Sequence, residues 1–201
     1  MEILSLDLST TTGFCVGDHA DDATPDWGTW VLSGRNDLTG SFVGTYNEVE
    51  RLLETRRPGL VVYETPLTRQ GRGRSGTTDL LVGLAAVTRL VCAQNEIPCY
   101  EQGFVEVRKA VIGRGTFAKP FRGRGKIAKG KLVGDPKEEV EIWTRCHGWE
   151  DIAQPDARDA AVLFHYAQLL FRRAPDRLRK IAPASDLGVN SCQLSGVISA
   201  D

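Results

Sequence analysis

The sequence has no C-x-x-C pair, a single methionine and only three histidines. Its five cysteines, Cys15, Cys92, Cys99, Cys146 and Cys192, are scattered, so neither a zinc site nor a disulfide framework is expected from their spacing. His19, His147 and His165 fall in no Ser/His/Asp or Cys/His pattern, which leaves nucleophilic catalysis of that type without support. No apolar run approaches the length that spans a bilayer, and the first residues lack a basic segment leading into an apolar one. No membrane association is therefore expected, and the cytoplasm is the expected compartment. There is no internal repeat. A chain of 201 residues suffices for one well-cored domain, expected over 1–174. The small, polar, aperiodic stretch 175–201 is expected to be a disordered tail.

What is present begins with a charge asymmetry hidden in a net charge of −1. From Arg108 to Lys131 there are nine Lys or Arg residues and no Asp or Glu. The block includes Arg114, Lys119, Arg122, Arg124, Lys126, Lys129 and Lys131, and a loop after Pro66 adds Arg69, Arg72 and Arg74. Such a block is either a solvated loop or an electrostatic match for a phosphate backbone, and composition leaves both readings open.

Periodicity supplies the frame. Ile3, Ser5 and Asp7 alternate with Leu4, Leu6 and Leu8, a strand pattern, and Ser9-Thr10-Thr11-Thr12-Gly13 turns it into a return strand at Phe14-Cys15-Val16-Gly17. Trp27 to Leu32 gives a third strand. Residues 42–57 change to helical period, with Tyr46, Val49, Leu52 and Leu53 as the apolar stripe, and Pro58-Gly59 ends the helix. Leu60-Val61-Val62-Tyr63-Glu64 suits a strand buried on both faces. Thr78 to Asn95 is apolar almost all round, which predicts a deep core helix or one covered by another subunit. A short strand over 97–100, a short helix over 105–112 and helices over 137–146 and 156–173 complete a mixed α/β sheet covered by helices.

Four acids break these patterns. Asp7 and Glu64 close two strands where carboxylates are disfavoured, and unpartnered buried carboxylates side by side are costly. Asp156 and Asp159 head the last helix, three apart and hence on one face. Alone, that pair reads as helix-start residues near the positive end of the macrodipole. With Asp7 and Glu64 at the same edge, it becomes half of a set of hard oxygen ligands suited to Mg²⁺ or Mn²⁺. Two such ions about 4 Å apart can hold the attacking water and the leaving oxygen of a phosphodiester in line.

Leu4-Ser5-Leu6-Asp7-Leu8-Ser9 with Gly13-Phe14, then Val61-Val62-Tyr63-Glu64, then Asp156-Ala157-Arg158-Asp159-Ala160-Ala161 resemble, in order, the motifs of the RuvC family of Holliday-junction resolvases. Val107-Arg108-Lys109-Ala110-Val111-Ile112-Gly113 and Lys137-Glu138-Glu139-Val140 resemble that family's lysine-bearing segments. The resemblance implies an RNase H-like fold, a mixed five-stranded sheet with its first three strands antiparallel and helices on both sides. It also implies metal-dependent hydrolysis of branched DNA, with Asp7, Glu64, Asp156 and Asp159 as ligands and Lys109 and Lys137 as auxiliary cations. A homodimer through helix 78–95 is a further implication. The chain departs from the pattern in its longer basic segment, 114–131, and in Pro66-Leu67, where many relatives carry an aromatic; both bear on junction selectivity. Its compact form is similar to phage versions of these enzymes. The alternative activity within the same fold is cleavage of RNA–DNA hybrid or nicking of duplex DNA. A sugar-kinase-like phosphotransferase, suggested by Asp7 before the Ser/Thr turn, needs a second phosphate loop for which the chain is too short.

Overall fold

A computed structural model of the chain describes residues 1–34, 36–66, 76–113 and 136–173. The elements follow the sequence pattern closely. A strand β1 (Glu2–Asp7), its antiparallel return β2 (Thr11–Asp18) and β3 (Asp26–Val31) precede a helix α1 (Leu38–Arg56) and a strand β4 (Leu60–Glu64). Next come α2 (Gly76–Gln94), β5 (Cys99–Gln102), α3 (Phe104–Val111), α4 (Pro136–Cys146) and α5 (Pro155–Arg173). The sheet order is β3-β2-β1-β4-β5, antiparallel across the first three and parallel from β1 through β4 to β5. This is the expected mixed sheet of RNase H-like type.

Strand alternation divides the core in two. Leu4, Leu6 and Leu8 of the β1 region, with Val61 and Tyr63 of β4, point to the face covered by α1 and α2. Ile3, Leu60 and Val62 point to the opposite face, which α5 covers with Ala157, Ala160, Ala161 and Phe164. Helix α1 starts where the Asp37 carboxylate accepts the Gly40 N–H, and stops at Arg57, which adopts the left-handed conformation ahead of Pro58.

α2 corrects one expectation. By length and composition it is long and apolar enough to cross a membrane. Its hydroxyl residues interrupt the apolar run without making the helix polar: Thr88 Oγ1 donates to the Leu84 carbonyl at 2.9 Å. One face is in the core, where Leu80, Leu84, Val91 and Cys92 are buried against α1 and the sheet. The other face leaves Val82 and Leu90 about half exposed, at 46% and 53%.

Helix α5 lies unusually close to the sheet because both sides of the contact are small. Ser5 Oγ donates to the Ala160 carbonyl at 2.8 Å, and Cys15 Sγ to the Ala157 carbonyl at 3.4 Å. At Gly13 a β-carbon would lie 2.1 Å from the Asp156 carbonyl oxygen and 2.6 Å from the Ala157 nitrogen. A side chain there is excluded, so Gly13 fixes how near the head of α5 can come to β1 and β2.

Candidate active site

Strand register brings the first two acids together. β1 and β4 run parallel with Leu4 opposite Val61 and Leu6 opposite Tyr63. One step further, Asp7 and Glu64 end their strands at the same level and on the α5 face. The first turn of α5, seated on Gly13, brings Asp156 and Asp159 to that edge. Pro155 suits the first helical position, where no N–H bond is lost.

The four carboxylates feel one another. Burial, and then the charges of Glu64 and Asp159, raise the Asp7 carboxyl well above the ordinary carboxylate range. Asp7 also shares a hydrogen bond with Glu64, which favours the proton on Asp7 and the charge on Glu64. Burial raises Glu64 as well, against the lowering effects of that hydrogen bond and of Arg108. Asp159 is raised by burial, while Arg108 and Lys137 pull it the other way. Asp7 is not needed to cap the Ser/Thr turn that follows it. That turn satisfies itself: Ser9 Oγ donates to the Thr11 carbonyl at 2.7 Å and Thr12 Oγ1 to the Ser9 carbonyl at 2.9 Å.

Among the described residues, two cations border the acids. Lys137, at the start of α4, lies 4.0 Å from Asp156 Oδ1 with its side chain 64% exposed. Arg108 of α3, stacked on the Phe104 ring at 3.8 Å, reaches to 3.5 Å from Asp159 Oδ1. Lys109, nominated from the sequence, is exposed, and Arg108 is the α3 residue that faces the acids. Sequence inspection missed Arg108 because consecutive helical residues point about 100° apart, and an eight-residue helix with one buried anchor, Val107, gives little hold on its phase. Gly13 stood in the sequence as a turn residue, and its role as the seat of α5 needs the third dimension.

Among the described residues, no three His, Cys, Asp or Glu groups already stand at ligating distance around one point. The donor set nevertheless suits a divalent cation. The acids converge from three separate segments and are partly buried, open enough for a cation to reach them. Two of them, Asp7 and Glu64, lie within hydrogen-bond reach of each other, close enough to share one cation. Arg69, Arg72, Arg74, Arg114, Lys119, Arg122, Arg124, Lys126, Lys129 and Lys131 lie outside the described residues, as does the stretch 175–201.

No family profile and no curated protein sequence matches the chain. Solved structures do. Thermus thermophilus RuvC is 16% identical, with 86% of this chain and 96% of that chain covered at a TM-score of 0.58. T. thermophilus RuvC in complex with Holliday junction substrate is 14% identical, with 87% and 96% covered at a TM-score of 0.62. The chain therefore has the RuvC fold over nearly all of that protein's length.

Proposed function

We propose that the protein is a metal-dependent endonuclease that hydrolyses branched DNA, four-way junctions above all. The observation that carries this reading is the convergence of Asp7, Glu64, Asp156 and Asp159 at one sheet edge of a RuvC fold. It gains support from the neighbour of the same fold that holds Holliday junction substrate. Mg²⁺ or Mn²⁺, two ions per site, would be held by these four carboxylates and would supply Lewis-acid activation and neutralisation of charge at the phosphodiester. The reaction adds a water oxygen to phosphorus and breaks the bond to the 3′ oxygen, leaving a 5′-phosphate and a 3′-hydroxyl.

The chain's own residues do three things in this account. The carboxylates, kept at the edge by the β1–β4 register and by Gly13, hold a dense negative charge that admits a phosphate only once neutralised. Arg108 and Lys137, on opposite helices, flank that charge and meet the substrate phosphate; Lys109 lies exposed beside Arg108 and supports backbone contacts. The arginines and lysines of 69–74 and 114–131 bind the junction arms through counterion release. Two copies pair through α2, whose Val82, Ala86 and Leu90 form an exposed stripe at four-residue spacing. The enzyme acts in the cytoplasm, with no role for a membrane.

In Mg²⁺, Asp7→Asn is expected to abolish cleavage of a synthetic four-way junction while leaving its binding largely intact. Cleavage by Asp7→Asn at the wild-type rate would refute the assignment. A substrate panel with linear duplex and RNA–DNA hybrid separates the junction reading from general nicking or hybrid cleavage.

A further inference from the structure

Arg158 sits in sequence between the two helix-head aspartates, yet the cations that act on Asp159 are Arg108 and Lys137. The Arg158 guanidinium is turned elsewhere and is only 16% exposed. Its Nη1 donates to Glu141 Oε2 on α4 at 2.8 Å, and its Nε donates to the Ile152 carbonyl, in the turn before α5, at 2.8 Å. The other oxygen of Glu141 is held by Arg145 at 2.7 Å, one turn along α4. One side chain thus ties together the head of α5, the segment leading into it, and the middle of α4.

The tie matters because, among the described residues, α4 is loosely packed at this end. Val140 and Thr144 are buried, but nearer the acids the seam opens into a cavity of about 250 Å³ lined by Lys137, Val140, Pro155 and Asp159 and bordered by the Arg158–Glu141 pair itself. Lys137 stands on the far side of that opening, one turn before Glu141 on the same helix face. We infer that Arg158 is a positioning residue: through Glu141 it holds α4 against α5 and so keeps Lys137 over Asp156. The inference rests on the nuclease reading, since only there does the placement of Lys137 matter for rate. It assigns Arg158 no contact with substrate.

The test is a double-mutant cycle on junction cleavage with Arg158→Gln, Lys137→Ala and the pair, in the full-length protein. Arg158→Gln is expected to slow cleavage about 10–100-fold, the usual effect of losing a residue that orients a functional group, with junction affinity unchanged. In the Lys137→Ala background it is expected to cost little more, and Arg158→Lys is expected to recover part of the rate. Amide hydrogen exchange over 137–141 in the metal-free protein is expected to quicken in Arg158→Gln, a readout independent of activity. If Arg158→Gln fails to fold, Glu141→Ala cuts the same link while sparing the Ile152 bond, and the same non-additivity is expected. Wild-type rate in Arg158→Gln, or fully multiplicative losses in the cycle, would overturn the clamp alone. A wild-type protein that cuts no DNA would instead overturn the nuclease reading on which it stands.

Discussion

Replacing Asp7 by Asn should make the metal-free protein more stable as well as inactive. Two like charges about 4 Å apart repel by about 4 kcal/mol at an effective dielectric of about 20. Burial and that repulsion raise the Asp7 carboxyl well above the ordinary carboxylate range, and the hydrogen bond between the two favours the proton on Asp7. Asn is nearly the same shape, carries no charge and offers an N–H to the Glu64 carboxylate, so the substitution is expected to stabilise by roughly 1–2 kcal/mol. For a chain of this size that is about 2–8 °C in Tm. The pH dependence has a definite sign. The folded-state proton affinity of Asp7 is raised, so its contribution favours folding at low pH and is lost as pH rises through the raised value. The advantage of Asp7→Asn in EDTA should therefore be absent near pH 4 and grow toward neutrality. Added Mg²⁺ should reverse the order, since binding at 100 times the dissociation constant stabilises the wild type by about 2.7 kcal/mol and the variant lacks a ligand. Thermal melts of both proteins across pH, in EDTA and in Mg²⁺, read all of this. Lower stability of Asp7→Asn in EDTA at neutral pH, or equal stabilisation of both proteins by Mg²⁺, would refute the reasoning.

Other consequences can be measured independently. Gly13→Ala puts a methyl group 2.1 Å from the Asp156 carbonyl oxygen, and it should cost about 1–3 kcal/mol in denaturant melts along with cleavage; an unchanged midpoint would show that α5 does not rest there. Leu90→Glu on the exposed face of α2 should yield a monomer by sedimentation equilibrium with the fold retained in circular dichroism, whereas an unaltered mass would exclude that face as the contact. His165 is held neutral down to about pH 4 by burial and by neighbouring His147, with Arg172 and Asp22 facing the same cluster. Its folded-state proton affinity is lowered, so stability should decline as pH falls from about 6.5, the ordinary histidine value, toward 4. His165→Asn should flatten that decline in melts across the same range.

Much of the architecture is legible in the residues. Alternation in Ile3-Leu4-Ser5-Leu6-Asp7 assigns each side chain to its face, and the unbroken apolar run 60–63 marks the doubly covered strand beside it. Asp7 and Glu64 stand out because they follow directly on Ile3–Leu6 and Leu60–Tyr63, runs without a charged residue. What the sequence conceals depends on approach and phase. The need for glycine at 13 comes from a helix more than 140 residues away, the contact of Arg108 rather than Lys109 from the rotation of a short helix, and the use of Arg158 from the place where α4 happens to lie. The sequence leaves α2 open between a deep core helix and one covered by another subunit, because composition does not reveal which of its faces, here the half-exposed one with Val82 and Leu90, stays outside the core.

The most direct test of the account is cleavage of a four-way junction beside a linear duplex of the same sequence, each in Mg²⁺ and in EDTA. The account predicts symmetric cuts in the junction with Mg²⁺, little or no cutting of the duplex, and none of either in EDTA. Equal cutting of duplex and junction, or cutting that survives EDTA, would contradict it.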